Sequence, residues 1–465
     1  MQRLNKIIAW IGLTALALPT LAQEKHAFTI QQALEYAKKN NLQVKNALLG
    51  IQLQRQQNKE ITAAAYPQLT GSVSSTYNPY VATQVLPNFI SPSVYQVLID
   101  QNVKDGNGNP IAMPGDFGNI AAQFGTKFNA SAGVDLSQIL FDGQVFIGLK
   151  ARSTSIDWQT KYSEVTEETV RTNIYKVYYQ LLVGKTQIEL LDENIERIQK
   201  LSHDTKELYK NGFAEQLDVN KVEVQSANLN TEKLKALNSI YNGYLGLKFL
   251  MGMPVKDSLI LTDSLDEQQI KDGALTLGDY NYKDRKDYQY AELGKKLNEF
   301  NIKRYQLSQI PTFSLSGNYY KSAQRNKFDF FGKGDWYNVS AISVRMSVPI
   351  FKGFATKAKI AQARIQLQQT QNQIDNLKNQ IDQEAETAKA NFTVAVNTLD
   401  YQKKNMELAE TVYEQTKKKY EIGTGSNTEI TTAQTDLKQA QTNYINAVYD
   451  AIIAKIDFLK ATGKL

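Results

Sequence analysis

Tyr209-Lys210-Asn211-Gly212-Phe213 stands near the middle of the chain, and Tyr420-Glu421-Ile422-Gly423-Thr424 stands 211 residues further on. Gly252 recurs at the same offset as Gly463. Upstream, Ile139-Leu140-Phe141-Asp142-Gly143 is echoed by Pro349-Ile350-Phe351-Lys352-Gly353 at an offset of 210, and Tyr66-Pro67-Gln68-Leu69 by Ile310-Pro311-Thr312-Phe313 at 244. The change of offset is a single insertion of 34 residues in the first copy, between Pro67 and Gly143. A period this long is far beyond a solenoid repeat, so the chain is a duplicated module whose copies pack side by side.

Working outward from the two glycine turns, the flanking segments are helical. No proline occurs from Gly143 to Asn211, and Ile174, Val177, Leu181, Ile188, Leu191, Ile195 and Ile198 recur at spacings of three, four or seven. That is a heptad pattern, on a helix of the order of 100 Å at ~1.5 Å per residue. A second helix follows from about Glu215 to Leu250 and ends at Gly252 and Pro254. The second copy repeats this, with a helix from Ala355 to Glu421 carrying the ladder Ile360, Leu367, Ile374, Ile381, Ala388, Ala395 and then Phe392, Leu399, Met406, Tyr413, Tyr420. The last helix shows Ile430, Ala433, Leu437, Ala440, Tyr444, Ala447, Ala451, Ala454 and Phe458 at strict three-four spacing.

Before each helical pair the period changes to two. Leu69, Gly71 and Val73 alternate with Thr70, Ser72 and Ser74 after Pro67, and alternation resumes from Phe128 to Phe141. The stretch from about Val81 to Lys127 is rich in Pro, Gly and Asn, contains the surplus of the first copy and reads as a long excursion loop. The second copy gives strands over Pro311–Tyr320 and Asn338–Phe351, the latter with Ile342, Val344, Met346, Val348 and Ile350 opposite Ser343, Arg345 and Ser347. Helices precede the first strand of each copy, from Thr29 to about Ala65 with a break at Asn40-Asn41, and from about Lys283 to Ser308.

Four amphipathic strands cannot close a barrel, and left open they expose an apolar face and two edges. Closure must come from other chains; three copies give twelve strands, an even number within the range of outer membrane barrels. The alternative is a small soluble sheet on a coiled-coil stalk, in a non-channel structural or adaptor protein of the periplasm.

The first residues read as a cleaved secretory signal over 1–22: Arg3 and Lys6, an apolar run from Ile7 to Leu18, then small residues before Gln23. Removing it lowers the formal net charge from +6 to +4, which leaves no concentrated basic field and points to no nucleic acid partner. There are 0 cysteines, so disulfides and thiol chemistry are excluded. With only His26 and His203, no histidine-rich metal centre is expected. His203 lies between Ser202 and Asp204, but helix neighbours point about 100° apart and do not form a triad. No catalytic constellation emerges; neither an enzyme, a cofactor nor a metal is expected.

Asn40-Asn41-Leu42 with its counterpart Arg285-Lys286-Asp287, the strand-opening Tyr66-Pro67 and Ile310-Pro311, Phe141-Asp142-Gly143 with Phe351-Lys352-Gly353, and the two Tyr-x-x-Gly turns occur in a fixed order. In this the chain resembles the TolC-like outer membrane efflux family over nearly all of the mature sequence. The resemblance implies a mainly α protein with a transmembrane β-barrel: a homotrimer whose 12-stranded barrel, four strands per chain, is continued by a long α-helical coiled-coil tunnel. It implies an outer membrane location reaching into the periplasm, contact with outer membrane lipids, and work with a periplasmic adaptor and an inner-membrane pump in efflux or type I secretion of drugs, toxic compounds or proteins.

The layout expected is 1–22 signal peptide, 23–65 N-terminal periplasmic helix, 66–142 first β-hairpin with a long outer loop, 143–252 first helical hairpin, 253–282 connecting region, 283–309 periplasmic helix, 310–352 second β-hairpin and 353–463 second helical hairpin. Asn211, Gly212, Phe213, Ile422, Gly423 and Thr424 would form the hairpin tips, where the resemblance places adaptor contact. Each glycine also suits a left-handed helix end. Six residues past each lies an acid, Asp218 or Glu429. In a trimer each becomes a ring of three charges able to favour cations, and each is equally a favourable acid in a first helical turn. The resemblance places the periplasmic gate on the second-copy hairpin, with Glu429 and with Tyr420 as the tyrosine linking neighbouring helices. Gly425 and Thr432 stand where a well-studied member of the family has an arginine and a second acidic residue.

Overall fold

The computed structural model describes residues 25–271, 280–332 and 334–465; the leader expected over 1–22 lies outside them. The first copy runs β1 (Lys25–Phe28), α1 (Ile30–Asn40), α2 (Leu42–Ala63), β2 (Gln68–Tyr77), β3 (Thr83–Pro87), α3 (Ile90–Asp100), β4 (Asn119–Gln123), β5 (Phe128–Phe141), α4 (Gly143–Lys210) and α5 (Gln216–Met251). β6 (Ser258–Leu261) and α6 (Glu267–Lys271) connect to the second copy, a 3-10 turn over Tyr282–Asp284, α7 (Lys286–Leu307), β7 (Thr312–Arg325), β8 (Tyr337–Ser347), α8 (Ala355–Glu421) and α9 (Asn427–Ala461). The chain divides into a helical unit (residues to 57, 151–301 and 361–465) and a sheet unit (58–150 and 302–360).

In the sheet unit the order is β2-β5-β7-β8, all antiparallel. The register lines up Leu69, Leu136, Gly317 and Ile342 on one face, and on the other Gln68, Ser137, Ser316 and Ser343 in the adjacent row. The polar face is tied by hydroxyl pairs, Ser74 to Ser131 at 2.8 Å and Ser316 to Ser343 at 2.7 Å, and the Tyr320 hydroxyl donates to Asp135. The two outer strands, β2 and β8, are exposed along their whole lengths. β8 stops at Ser347 rather than running to Phe351, because Pro349 has no N–H to give the ladder. β7 conversely runs on to Arg325, beyond Tyr320.

The 81–127 stretch is not a structureless loop. β3 and β4 pair as a second antiparallel ribbon beyond the β2–β5 hairpin, and α3 lies between them. Five-residue strands are too short for period two to stand out from a Pro- and Gly-rich background, and Pro92 is tolerated because it sits in the first turn of α3.

In the helical unit the heptad ladders are the buried faces. Ile198 of α4, Val222 of α5, Tyr413 of α8 and Leu437 of α9 meet in one apolar cluster, so all four long helices share a core. α8 has neither Gly nor Pro in 67 residues. Within this interface lies a polar layer: Asn194 Nδ2 donates to Gln441 Oε1 at 2.6 Å, and Gln434 Nε2 to the Asn194 carbonyl at 3.4 Å.

The duplication is visible at the far ends of α5 and α9. Gly252 and Gly463 both have φ 71°, and a Cβ on Gly252 would fall 2.4 Å from the Asn40 carbonyl oxygen, one on Gly463 2.9 Å from that of Asp284. Beside them, the Asn41 side chain donates to the Leu250 carbonyl at 2.7 Å and the Arg285 guanidinium to the Ala461 carbonyl at 3.1 Å. Two different residues thus satisfy equivalent helix-end carbonyls. Arg285 is buried and is neutralised by Asp287 at 2.7 Å and Glu384 at 3.0 Å. Burial by itself would raise the Asp287 pKa, but the guanidinium outweighs it and holds the carboxyl below its usual range.

The connecting region at 253–282 is more than a link. β6 pairs in parallel with β1, a strand absent from the sequence reading, and the Asp263 carboxylate joins them to α1 and α4 by accepting from Ile30 N at 2.7 Å and Tyr178 Oη at 2.9 Å. α6 is held to α8 and α9: Glu267 accepts from Lys403 at 3.0 Å and from Tyr444 at 2.5 Å, and Lys271 pairs with Asp400 at 2.5 Å. After residues 272–279, Tyr280 and Tyr282 both donate to Asp382, at 2.6 and 2.8 Å, and this raises the Tyr280 pKa to about 12.

Candidate functional site at the helical hairpin turns

The two turns are the same structure built from different residues. Gly212 has φ 78° and Gly423 φ 76°, the left-handed helix end that favours glycine. Phe213 N donates to the Leu208 carbonyl at 2.8 Å and Gly212 N to Tyr209 at 3.0 Å; Thr424 N donates to Lys419 and Gly423 N to Tyr420, both at 3.0 Å. This is a Schellman pair that satisfies the last carbonyls of α4 and α8. Asn211 adds a side-chain bond to the Glu207 carbonyl at 2.8 Å. The Glu207 carboxyl is held below its usual range by the hydrogen bond and charge of Lys210. Phe213 and Ile422 project into solvent, 81% and 74% exposed.

Asp218 and Glu429 both sit at the third position of the returning helix and complete capping boxes. Ser426 Oγ accepts from Glu429 N at 3.2 Å while the Glu429 carboxylate accepts from Ser426 N at 3.3 Å; Asp218 accepts from Glu215 N at 3.4 Å. The two acids differ in surroundings. Seven and fourteen residues beyond Asp218, Gln225 bonds Thr435 at 3.0 Å and Glu232 pairs with Lys438 at 2.7 Å, so that stripe of α5 faces α9 and Asp218 is half buried. Glu429 instead begins an exposed stripe, Glu429, Thr432, Asp436 and Gln439, on the side of α9 away from its apolar face. Asp436, one heptad beyond Glu429, is an acid of this stripe that sequence reasoning passed over; its spacing of seven was the available signal.

Tyr420 packs against the four-helix cluster, and its hydroxyl lies 3.4 Å from Thr205 Oγ1 on α4. Gly425 has a steric reason: a Cβ there would stand 2.9 Å from Tyr420 N and 3.1 Å from the Lys419 carbonyl carbon. A larger residue at 425 requires another course of the turn. Asn211, Gly212, Phe213, Ile422, Gly423 and Thr424 therefore form two exposed tips, with Tyr420 behind one of them and Glu429 on an open helix face.

Duplicated helical hairpins with glycine turns, each following an amphipathic antiparallel β-hairpin, define a class of outer membrane channel. The comparisons agree: residues 33–253 and 283–464 match the outer membrane efflux protein family. Over 336 residues the chain is 20% identical to outer membrane protein TolC of Vibrio cholerae, spanning 72% of this chain and 77% of that one. It is 20% identical over 222 residues to the proteases secretion protein PrtF of Dickeya chrysanthemi, covering 45% of this chain and 46% of the other. Among solved structures, the Campylobacter jejuni CmeC outer membrane channel superposes with a TM-score of 0.72 at 16% identity, covering 96% and 90% of the two chains. The Neisseria gonorrhoeae MtrE channel, an open-state structure, gives 0.69 at 15%, covering 93% and 88%. The chain belongs to the outer membrane efflux protein family, and it serves as an outer membrane channel of efflux or type I secretion that reaches into the periplasm.

Proposed function

We propose that three copies of this chain close into one twelve-stranded barrel continued by a tunnel of helical hairpins, which receives cargo from an inner-membrane pump through a periplasmic adaptor. The observation that carries this reading is the four-stranded sheet: one face apolar, one polar, its two edge strands exposed throughout and, among the described residues, without a strand partner on their outer sides. Such a sheet is stable against lipid only when every edge is paired, which end-to-end closure of identical copies achieves. The polar face, with Ser74, Ser131, Ser316, Ser343 and Arg345, would line the water-filled lumen.

In the helical unit the hairpin turns are the gate and the docking surface. Phe213 and Ile422 are exposed apolar contacts for the adaptor, flanking Gly212 and Gly423. Glu429 on the open face of α9 supplies a ring of three carboxylates, with Asp218 a secondary contributor, and Tyr420 ties α8 to α4 behind it. An acidic ring at a constriction favours cations.

Planar-bilayer conductance of the purified protein beside Glu429→Gln tests the reading. Glutamine also completes a capping box, so the substitution removes the charge while the start of α9 stays intact. Small discrete steps with cation preference, the preference weakened in the variant, are expected; unchanged selectivity would remove Glu429 from the gate, and a protein that never inserts would remove the barrel.

A further inference from the structure

The loops that join β2 to β5 and β7 to β8 carry exposed apolar groups, and of these the Phe331 ring meets that of Phe328 edge-on at 6.3 Å between centroids. Between β7 and β8 the Arg325 guanidinium lies 5.5 Å above the Phe330 ring and is bonded to the Asp329 carboxylate at 3.0 Å, and Phe330 is buried. This fixed turn leaves the next residue, Phe331, 95% exposed. Between β2 and β5, α3 presents Ile90, Val94 and Val97 at four-three spacing, all at least half exposed, and α3 buries no residue. No charged residue occurs from Asn78 to Ile99.

The strand order decides what can cover them. The α3 excursion leaves the sheet from Tyr77 at the end of edge strand β2, and the Phe331 loop enters at Tyr337, the start of the opposite edge strand β8. Strand direction alternates across the sheet, so β8 of one copy meets β2 of the next antiparallel, with Tyr337 and Tyr77 at the same end. Closing the ring therefore brings the β7–β8 loop of each copy beside the excursion of its neighbour. We infer that Phe331 of one copy docks on the Ile90–Val94–Val97 stripe of α3 of the adjacent copy, so that apolar contacts between copies clasp the outer mouth of the barrel above each strand seam. This rests on the trimeric barrel proposed above.

Because the chain has 0 cysteines, the contact can be read directly. Phe331→Cys and Val94→Cys are made singly, co-expressed so that mixed oligomers form, and treated with a short bis-maleimide; particle mass in detergent is measured in parallel. A trimeric mass with a crosslinked two-chain band containing one of each variant, absent from either variant alone, is the expected result. A trimeric mass without that band overturns the docking and leaves the barrel standing. A monomeric mass overturns both. The double variant in one chain gives a further control: crosslinking that stays within a single chain would show α3 covered by its own loop, against the proposal.

Discussion

Gly252 and Gly212 share one backbone conformation and serve different ends. At Gly212 a Cβ would meet nothing within 4 Å, so alanine costs only the left-handed conformation, about 1–2 kcal/mol. At Gly252 the same Cβ lands on the Asn40 and Asn41 backbone, and the clash adds to the conformational cost, for a total of roughly 3 kcal/mol or more. Gly252→Ala should therefore lower the unfolding temperature markedly more than Gly212→Ala. Thermal unfolding of the two variants by circular dichroism checks this, and equal effects would mean that the close approach at Asn40 relaxes freely.

At the scale of elements, the segment between the two copies is fastened to the long helices by charge. Burial alone would raise the Glu267 pKa, but hydrogen bonds from Tyr444 and Lys403 and the nearby Lys271 outweigh it and hold the carboxyl below its usual 4.5. A depressed folded pKa means that the stabilisation is present above the unfolded value and is lost as pH falls through the folded one. Acidification through the carboxylate range and below it should thus weaken the hold of α8 and α9 on α6. Glu267→Gln should cost about 1 kcal/mol at neutral pH, after allowance for partial exposure, and should flatten this part of the pH dependence. Melting curves across that pH range decide it: parallel curves for the two proteins would show that Glu267 contributes nothing to acid sensitivity.

For the molecule as a whole, the proposed barrel requires the two faces of the sheet to meet different solvents. Ile342 lies on the apolar face and its neighbour Ser343 on the polar one. A lysine facing lipid near mid-membrane costs ~2–4 kcal/mol, whereas a lumen position tolerates it. Ile342→Lys should reduce the yield of folded trimer in the outer membrane, and Ser343→Lys should leave the yield unchanged while altering conductance. Fractionation followed by unheated gel electrophoresis separates these outcomes, and the reverse order would place the lumen on the other face.

The sequence by itself determined what repeats locally. The duplication, the long helices, the glycine turns and the β7–β8 alternation were legible because each rests on a period of 2 or 3.6, or on a residue type that a helix end demands. Asp218 and Glu429 could be picked out by their equal offset from the two glycines, whereas the gate role of Glu429 and Tyr420 was implied by the family resemblance. Tertiary structure decided what depends on distant partners: β1 with β6 are four-residue strands paired across more than 200 residues of chain, and the β3–β4 ribbon is too short to show a period. It also distinguished the two acids, since Asp218 and Glu429 have the same capping role but lie on helix faces turned to different neighbours. Periodicity records which face of an element is apolar; only packing fixes which neighbour covers that face and which polar stripe stays open to water.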